Sequence, residues 1–317
     1  MNRIKCLIID QMHDSIVPLL EGIDVQVDYR PDITREEVLN IIADYDGIIV
    51  RSKTKLDVDF FDRATHLKFI ARAGAGLDQI DTKEAFKRKI FMLNASEGNR
   101  DALGEHALGM LLCLMNKMHL GDRQVRHGIW DREGNRGYEI GGKTIGLIGY
   151  GHMGRAFARK VKSFDCKVLA YDKYLNNFSD DFVIESDMEA IYSEADILSL
   201  HVPLNSETRF LVNGAYLSRF KKNIWLLNTA RGEVVDTKFL PELLSSGKIL
   251  GAALDVLENE KLKTLSAGQL ETFKLLAASE KVLLTPHVGG WTFESYEKIN
   301  AVLVKKIKEV LPQLVKR

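Results

Sequence analysis

The chain has 317 residues, of which 44 are basic and 44 are acidic, so its formal net charge at pH 7 is zero. That length predicts about two domains, and the balanced charge gives no electrostatic reason to expect a nucleic acid or an anionic membrane as a partner. No apolar run approaches the ~20 residues of a membrane span, and the N-terminal residues lead into a strand-like run without the features of a signal peptide.

Three cysteines, Cys6, Cys113 and Cys166, lie far apart in the chain, and none belongs to a Cys-x-x-Cys pair. This spacing argues against a disulfide framework and against a zinc site, so we expect small buried side chains and no bound metal. Free cysteines fit a reducing compartment, and we therefore expect a cytoplasmic protein.

The first part of the chain alternates between strand and helix signals, which predicts a parallel sheet with helices on both faces. Thr34 and Glu37 have the spacing of a capping box at a helix start. The predicted strands are Ile4–Ile9, Asp24–Asp28, Gly47–Val50, Lys68–Ala71 and Ile90–Leu93, and the predicted helices are Asp14–Leu20, Thr34–Ala43, Asp57–Arg63 and Thr82–Lys87.

A single long helix is predicted next, from about Asp101 to Met118, because apolar residues recur there at helical spacing. The apolar stripe is wide enough for a helix that is buried on most sides. Such a helix either crosses between domains or packs in a dimer interface, and the stripe alone leaves both interpretations open.

A second alternating unit begins near Thr144 and has the length of a complete nucleotide-binding domain. After His287 the chain becomes helical again, and this last helix lies outside the pattern of the second sheet, so we expect it to return to the first domain. The predicted strands are Thr144–Ile148, Lys167–Tyr171, Asp196–Leu200, Ile224–Leu227, Leu250–Leu254 and Val282–Leu284, with helices beginning near Met153, Asp187, Asn213 and Thr237.

These elements predict an α/β fold of two doubly wound parallel-sheet domains, in which the second, a Rossmann-type domain, is inserted into the first. We expect residues 1–98 and 289–317 to form the outer domain and residues 99–288 to form the nucleotide-binding domain.

The most informative motif is Gly149-x-Gly151-x-x-Gly154, which follows a buried strand and precedes a helix. In a dinucleotide site the first glycine allows a tight turn, the second lets the backbone approach a pyrophosphate, and the third lets the helix pack closely on the strand. The helix N-terminus then offers unpaired N–H groups to the anion.

Asp172 ends the next strand, 18 residues beyond Gly154, close to the roughly 20 residues expected of this fold. Its carboxylate can accept hydrogen bonds from a ribose 2′-hydroxyl and would repel a 2′-phosphate. We therefore expect NAD as the cofactor, while the neighbouring Lys173 leaves the tolerance of NADP open.

Charged side chains follow three later strands of the second unit, namely Arg231, Glu260 and His287. Each alone is more often a surface or structural residue, but together they emerge at the edge of a parallel sheet where ligands bind. An imidazole can take a hydroxyl proton while hydride leaves carbon, a carboxylate can stabilise the resulting imidazolium, and a guanidinium can bind a substrate carboxylate. This combination predicts the oxidation of a hydroxyacid.

These residues and the segments around them resemble the D-isomer-specific 2-hydroxyacid dehydrogenases, most closely the D-3-phosphoglycerate dehydrogenase branch. The matching segments span nearly the whole chain. They are residues 49–52, 72–81, 97–99, 141–154, 201–204, 228–232, 251–256 and 285–287.

The resemblance implies Arg231, Glu260 and His287 as the catalytic residues, and a flavodoxin-like outer domain that binds substrate. It implies substrate contacts from Arg51, Ser52, Ala75, Gly76 and Asn99. The cofactor-binding residues predicted from the motif and the resemblance are Gly149, Gly151, His152, Met153, Gly154, Asp172, His201, Val202, Pro203, Thr208, Thr229, Asp255 and Gly289, with Asp255 implied to hold the nicotinamide carboxamide.

The chain departs from the family pattern in two places. The proline that usually follows the glutamate loop is absent, and Lys261–Ser279 forms a longer insert that we expect to be helical. The glycine loop carries His152 and Met153 where many members have Arg and Ile.

We expect an NAD-dependent oxidation of a D-2-hydroxyacid and the reverse reduction, with 3-phosphoglycerate, and hence serine biosynthesis, as the first candidate. The alternatives are a reductase of glyoxylate, hydroxypyruvate or another small 2-oxoacid, and an NAD(H)-sensing interaction protein of the corepressor type. The resemblance and the apolar helix predict a homodimer. Apart from the second subunit, we expect only a small 2-hydroxyacid or 2-oxoacid substrate as a partner, and neither a nucleic acid nor a membrane.

Overall fold

The computed structural model describes residues 3–314 and divides the chain into two compact units. The outer unit consists of Met1–Arg100 and Trp291–Arg317, and the inner unit is Asp101–Gly290. Residues 1–2 and 315–317, which the sequence assigns to the two ends of the outer domain, lie outside the described residues.

The strands are β1 (Ile4–Ile8), β2 (Val25–Tyr29), β3 (Gly47–Val50), β4 (Phe69–Arg72), β5 (Phe91–Asn94), β6 (Thr144–Ile148), β7 (Lys167–Tyr171), β8 (Val183–Glu185), β9 (Ile197–Leu200), β10 (Ile224–Asn228), β11 (Ile249–Leu254) and β12 (Val282–Leu284). The helices are α1 (Ile16–Glu21), α2 (Arg35–Ile41), α3 (Val58–Arg63), α4 (Thr82–Lys87), α5 (Ser96–Met115), α6 (Met118–Arg126), α7 (His152–Val161), α8 (Met188–Glu194), α9 (Gly214–Ser218), α10 (Leu240–Ser245), α11 (Ala267–Ala278) and α12 (Phe293–Leu314).

The outer unit is a five-stranded parallel sheet with the order β2-β1-β3-β4-β5. One apolar cluster lies on each face of this sheet, as expected for parallel strands that are buried on both sides. Helix α12 adds Ile299, Leu303 and Ile307 to one of these clusters, and their spacing of four residues keeps them on one helix face.

The inner unit is a seven-stranded parallel sheet with the order β8-β7-β6-β9-β10-β11-β12. The order in which successive strands are added to the sheet reverses between β6 and β9. The switch point of a doubly wound fold, where ligands bind beyond the strand ends, therefore lies beside the glycine loop. Two apolar clusters cover the faces of this sheet. The predicted fold class is therefore confirmed.

The predicted helix from Asp101 to Met118 is wrong in its limits. Helix α5 begins five residues earlier, at Ser96, and ends at Met115. Lys117 then adopts a left-handed backbone conformation with φ = 53°, which ends α5, and α6 begins at the next residue. The apolar residues on both sides of Lys117 mimic one continuous stripe, so helical spacing alone does not reveal the break.

The insert after the glutamate loop is helical, as expected. Ser266 and Gln269 form a capping box at the start of α11, and Leu276 buries itself in the inner core. Strand β8 was not predicted, because it has three residues and only one of them is buried. Within residues 3–314, no helix is both long enough and apolar enough to cross a membrane.

Candidate active site

The glycine loop between β6 and α7 has the geometry of a dinucleotide-binding turn. Gly149 has φ = +94°, and a Cβ atom there would lie 2.5 Å from the carbonyl oxygen of His201. A Cβ atom on Gly154 would lie 2.1 Å from the carbonyl oxygen of Gly149, so the helix packs directly on the strand end. At Gly151, by contrast, no atom of the described residues comes within 4 Å of the Cβ position. The loop is therefore closed on the protein side and open where a pyrophosphate would approach.

Helix α7 begins at His152, directly after Gly151. The N–H groups of its first turn therefore lie at the open part of the loop, where the helix dipole favours an anion. His152 is exposed and Met153 is partly buried. Neither side chain is therefore fully buried in the core at the start of this helix.

Asp172 is fixed at the end of β7 by backbone hydrogen bonds. One carboxylate oxygen accepts from the N–H of Tyr150 at 2.8 Å, and the other accepts from the N–H groups of Tyr174 at 2.9 Å and Leu175 at 3.1 Å. The negative charge is thus held in one place beside the glycine loop, as a ribose-binding acid requires.

Two buried polar atoms at the carboxyl ends of β9 and β10 have no hydrogen-bond partner among the described residues. They are Nδ1 of His201 and the hydroxyl oxygen of Thr229. The other ring nitrogen of His201 lies 2.8 Å from the Ser199 hydroxyl, and burial lowers the pKa of His201 to about 3, so the ring is neutral. Unsatisfied buried polar atoms are uncommon and need an explanation, and a ligand polar group at this position would supply one.

The loop Val202–Thr208 is held by its own side chains. The Thr208 hydroxyl donates to the carbonyl oxygen of Pro203 at 2.6 Å and accepts from the N–H of Asn205 at 2.9 Å. Val202 closes the other side of the tight turn, 3.1 Å from the Cβ position of Gly149. These residues shape the cleft wall, and with the orphaned polar atoms they fit a bound NAD molecule.

Glu260 and His287 are in direct contact. The Glu260 carboxylate lies 2.8 and 3.0 Å from Nδ1 of His287, which leaves Nε2 of the same ring free of this pairing. The imidazole side chain is 41% exposed, so the pair is accessible to a ligand. His287 has φ = 54°, a left-handed conformation that a non-glycine residue adopts only where its surroundings hold it.

Arg231 follows β10, the strand that neighbours the one carrying Glu260. Its loop is shaped by Asn228, whose amide donates to the carbonyl oxygen of Arg231 at 3.0 Å and accepts from the N–H of Ala230 at 3.0 Å. A Cβ atom on Gly232 would lie 1.9 Å from backbone atoms of Leu257, so the loops after β10 and β11 touch backbone to backbone. The three predicted catalytic residues thus follow three adjacent strands, β10, β11 and β12.

Asp255 anchors the loop that carries His287. It is 1% exposed, and its carboxylate accepts from the Thr285 hydroxyl at 2.6 Å and from the N–H groups of Val288 at 3.0 Å and Gly289 at 2.7 Å. Nε2 of His106, on α5, lies 3.2 Å from the same carboxylate. Burial alone would raise the pKa of Asp255, but the hydrogen bonds from His106, Thr285 and the two amides outweigh it and hold the pKa below its ordinary value.

In the outer unit, Arg51 is held between two aromatic rings. Its guanidinium carbon lies 4.2 Å from the ring centre of Trp291 and 5.2 Å from that of Tyr296, and it donates to the carbonyl oxygen of Gln11 at 3.3 Å. The N–H of Arg51 donates to Asp10 at 2.7 Å, which fixes the start of the loop. Burial lowers the pKa of Arg51, although a guanidinium remains charged.

The remaining predicted substrate residues also belong to the outer unit. Ser52 is exposed, and Ala75 and Gly76 are partly buried in the loop after β4. The carbonyl oxygen of Ala75 accepts from the Asn94 amide at 2.9 Å. The side-chain oxygen of Asn99 is buried without a partner among the described residues, which is a second place where a ligand donor would satisfy the protein.

Sequence reasoning missed His106, Thr285, Trp291 and Tyr296. The signal for Thr285 is its position directly before Pro286 and His287. The signal for His106 is that it is a polar residue within the apolar stripe of α5. No local signal links Trp291 or Tyr296 to Arg51, because the contact joins the start of α12 to the end of β3. Within residues 3–314, no group of three or more His, Cys, Asp or Glu side chains is placed to hold a metal ion.

Comparison with known proteins agrees with this geometry. Residues 108–289 match the family described as "D-isomer specific 2-hydroxyacid dehydrogenase, NAD binding domain". The D-3-phosphoglycerate dehydrogenase of Methanocaldococcus jannaschii is 33% identical over 311 residues, which cover 97% of this chain and 57% of that protein. The chain therefore spans little more than half the length of that relative.

The hydroxypyruvate reductase of Thermotoga maritima is 34% identical over 277 residues, which cover 87% of this chain and 88% of that protein. A solved structure of an acyclic imino acid reductase in complex with NADPH and D-Arg has a TM-score of 0.84 at 26% identity, covering 98% of each chain. The family match covers more than half of the chain, and the archaeal relative aligns with nearly all of it. The chain therefore belongs to the D-isomer-specific 2-hydroxyacid dehydrogenase family, with residues 108–289 as its NAD-binding domain.

Proposed function

We propose that this protein is an NAD-dependent dehydrogenase that oxidises a D-2-hydroxyacid to the 2-oxoacid and catalyses the reverse reduction. The observation that carries the proposal is the contact of Glu260 with His287, 2.8 Å apart, in the loops after β11 and β12, while Arg231 follows β10, the other neighbour of β11. An acid–base pair and a guanidinium beside a dinucleotide fold are the groups that hydride transfer to or from a hydroxyacid requires.

His287 carries the proton. Because Nδ1 faces Glu260, Nε2 is the atom that takes the hydroxyl proton in oxidation and returns it to the carbonyl oxygen in reduction. Glu260 fixes this tautomer and stabilises the imidazolium that forms. When bound, NAD supplies the hydride acceptor, and NADH supplies the hydride.

Arg231 binds the carboxylate of the substrate and stabilises negative charge on the neighbouring oxygen. A guanidinium suits this role because its planar fork makes two parallel hydrogen bonds to a carboxylate. The contact of Gly232 with Leu257 sets the distance between the loop of Arg231 and the loop of Glu260. We propose that Asp255 acts chiefly by holding the loop of His287, in addition to the contact with the nicotinamide carboxamide that the family resemblance implies.

We further propose 3-phosphoglycerate as the substrate, which would place the enzyme in serine biosynthesis. The archaeal phosphoglycerate dehydrogenase supports this choice, as does Arg51, whose guanidinium is oriented by Trp291 and suits a phosphate. We propose that Ser52, Ala75, Gly76 and Asn99 complete the substrate contacts. Reduction of hydroxypyruvate is the second candidate, because the bacterial hydroxypyruvate reductase is equally similar.

The experiment is to follow NADH absorbance with a panel of phosphorylated and plain 2-hydroxyacids and 2-oxoacids. We expect turnover by the wild type, a loss of roughly 10²-fold or more in His287→Asn, and a smaller loss in Glu260→Gln. Glu280→Gln is the matched control, since Glu280 pairs with Arg123 in an exposed ion pair. NADH binding without turnover of any panel member would instead favour the corepressor-type interaction protein.

We propose a homodimer in a reducing, cytoplasmic compartment. Met118 and Val125 lie two turns apart on α6 and are both more than half exposed, and Trp130 beyond them is 84% exposed. Exposed apolar side chains grouped in this way are typical of a protein interface. Sedimentation over a range of concentrations tests this state, and a monomer at every concentration would contradict it.

A further inference from the structure

The nucleotide preference of this fold depends on the charges around the ribose of the adenosine. A carboxylate after the second strand of the unit favours NAD, and a nearby cation accommodates the 2′-phosphate of NADP. Here both charges occur side by side, as Asp172 and Lys173. The fold itself does not exclude NADPH, since the acyclic imino acid reductase with the same architecture binds it.

We propose that Glu207 makes this protein selective for NAD(H) by engaging the Lys173 ammonium, so that a 2′-phosphate meets a net negative charge. The inference concerns the nucleotide and not the hydroxyacid, and therefore goes beyond the proposed function. Glu207 acts by its charge, which offsets that of Lys173, and needs no contact of its own with the nucleotide.

Lys173 forms an ion pair with Glu207 in the structure. Its ammonium nitrogen lies 2.6 Å from each carboxylate oxygen, and the hydroxyl of Tyr174 donates to the same carboxylate at 3.3 Å. The hydrogen bond from Lys173 is the main cause that lowers the pKa of Glu207, and the same bond raises the pKa of Lys173. Both groups are therefore charged at neutral pH.

The backbone of Glu207 is held in place by a turn. Its N–H donates to the side-chain oxygen of Asn205 at 2.9 Å, and the neighbouring Thr208 hydroxyl bonds the carbonyl oxygen of Pro203. Asp172 is equally fixed by its three backbone amides. Lys173 thus pairs with Glu207 and directly follows Asp172 in the chain, and the three side chains sum to one negative charge.

Simple charge arithmetic gives a distinct expectation for each variant. The local charge is −1 in the wild type, 0 in Glu207→Gln, −2 in Lys173→Ala and −1 again in the double variant Lys173→Ala/Glu207→Gln. A doubly charged phosphate about 7 Å from one unit charge in water changes its affinity by roughly sevenfold. NADH lacks the phosphate, so its affinity should respond much less.

The experiment measures the dissociation constants of NADH and NADPH with the full chain, by quenching of protein fluorescence in low salt. In Glu207→Gln we expect the ratio of the NADPH constant to the NADH constant to fall about five- to tenfold. The ratio should rise in Lys173→Ala, return to the wild-type value in the double variant, and lose most of its differences at ~0.5 M salt. Binding requires no turnover, so a wrong assignment of the hydroxyacid substrate would leave this test intact.

Glu194→Gln is the matched control. Glu194 pairs with Lys167 at 2.5 Å, with similar exposure, at the opposite end of the same strand β7, and we expect its ratio to equal that of the wild type. An unchanged ratio in Glu207→Gln, an equal weakening of both nucleotides, or a gain that persists in full in the double variant would each overturn the proposal.

Discussion

His201 should make the stability of the inner unit depend on pH between neutrality and pH 5. Its folded pKa is about 3, against 6.5 for an ordinary histidine, because burial disfavours the charged ring. Between these two values the unfolded chain binds a proton that the folded chain does not, so stability falls as the pH falls through 6.5. The sign is opposite to that of a histidine that gains an acidic partner on folding.

The magnitude follows from the two protonation equilibria. Lowering the pH from 7.5 to 5.0 should remove about 2 kcal/mol of unfolding free energy through this one residue. At pH 5.0 the folded ring is still neutral, so the figure depends mainly on the unfolded value and little on how far below 5 the folded pKa lies.

The assay is urea unfolding at both pH values, followed by the fluorescence of Trp225. This tryptophan is 6% exposed in the inner core, whereas Trp130 and Trp291 are 84% and 52% exposed, so Trp225 should dominate the change on unfolding. His201→Gln removes the ionisable ring, and the change in stability between the two pH values should shrink by about 2 kcal/mol. His66→Gln is the control, because His66 is exposed. Equal pH dependence of wild type and His201→Gln would refute the reasoning.

Three further variants test the site. Asp255→Asn should lower kcat at least tenfold in the NADH assay, because an amide cannot accept from all the donors around it. The pKa of the Asp255 carboxyl is depressed in the folded protein. Its contribution to the unfolding free energy should therefore be fully present above the ordinary pKa of about 4 and be lost only as the pH falls through the lower folded pKa. Arg51→Ala should impair a phosphorylated substrate at least tenfold more than a plain one, and equal losses would argue against a phosphate site. Gly232→Ala should destabilise the protein by ~1–3 kcal/mol in thermal unfolding and reduce kcat, whereas Gly268→Ala, where a Cβ meets open space, should do neither.

The sequence predicts the architecture well because continuous apolar runs mark the buried strands, and the ends of those runs mark one edge of each sheet. Strands such as β6 and β10 are buried at every position and read as continuous apolar runs. Once the strands are parallel, the residues that follow them share one edge. The sequence therefore predicts that Glu260 and His287 lie together, and they are in contact in the structure.

The parts that the sequence did not reveal depend on contacts between distant segments. The role of Asp255 as anchor of the His287 loop requires knowing that β11 and β12 are neighbours and that the Asp255 carboxylate reaches the backbone after β12. The break between α5 and α6 depends on the left-handed backbone conformation of Lys117, which a lysine side chain does not predict. The aromatic partners of Arg51 come from residues 240 or more positions away, and no short-range pattern records such a pairing.

The two units hold the residues that we propose as functional by different means, and this difference is consistent with relatives that are named for different substrates. In the inner unit the loops after β10, β11 and β12 are joined by backbone contacts, as at Gly232 and in the hydrogen bonds of Asp255 to the N–H groups of Val288 and Gly289. Side-chain substitutions at exposed positions leave such contacts unchanged, so the geometry that we propose for proton transfer persists. Arg51, in contrast, owes its orientation to the side chains of Trp291 and Tyr296, which one substitution can remove. Relatives named for phosphoglycerate and for hydroxypyruvate at almost equal identity are what this arrangement leads one to expect, since function resides in the site and not in the fold.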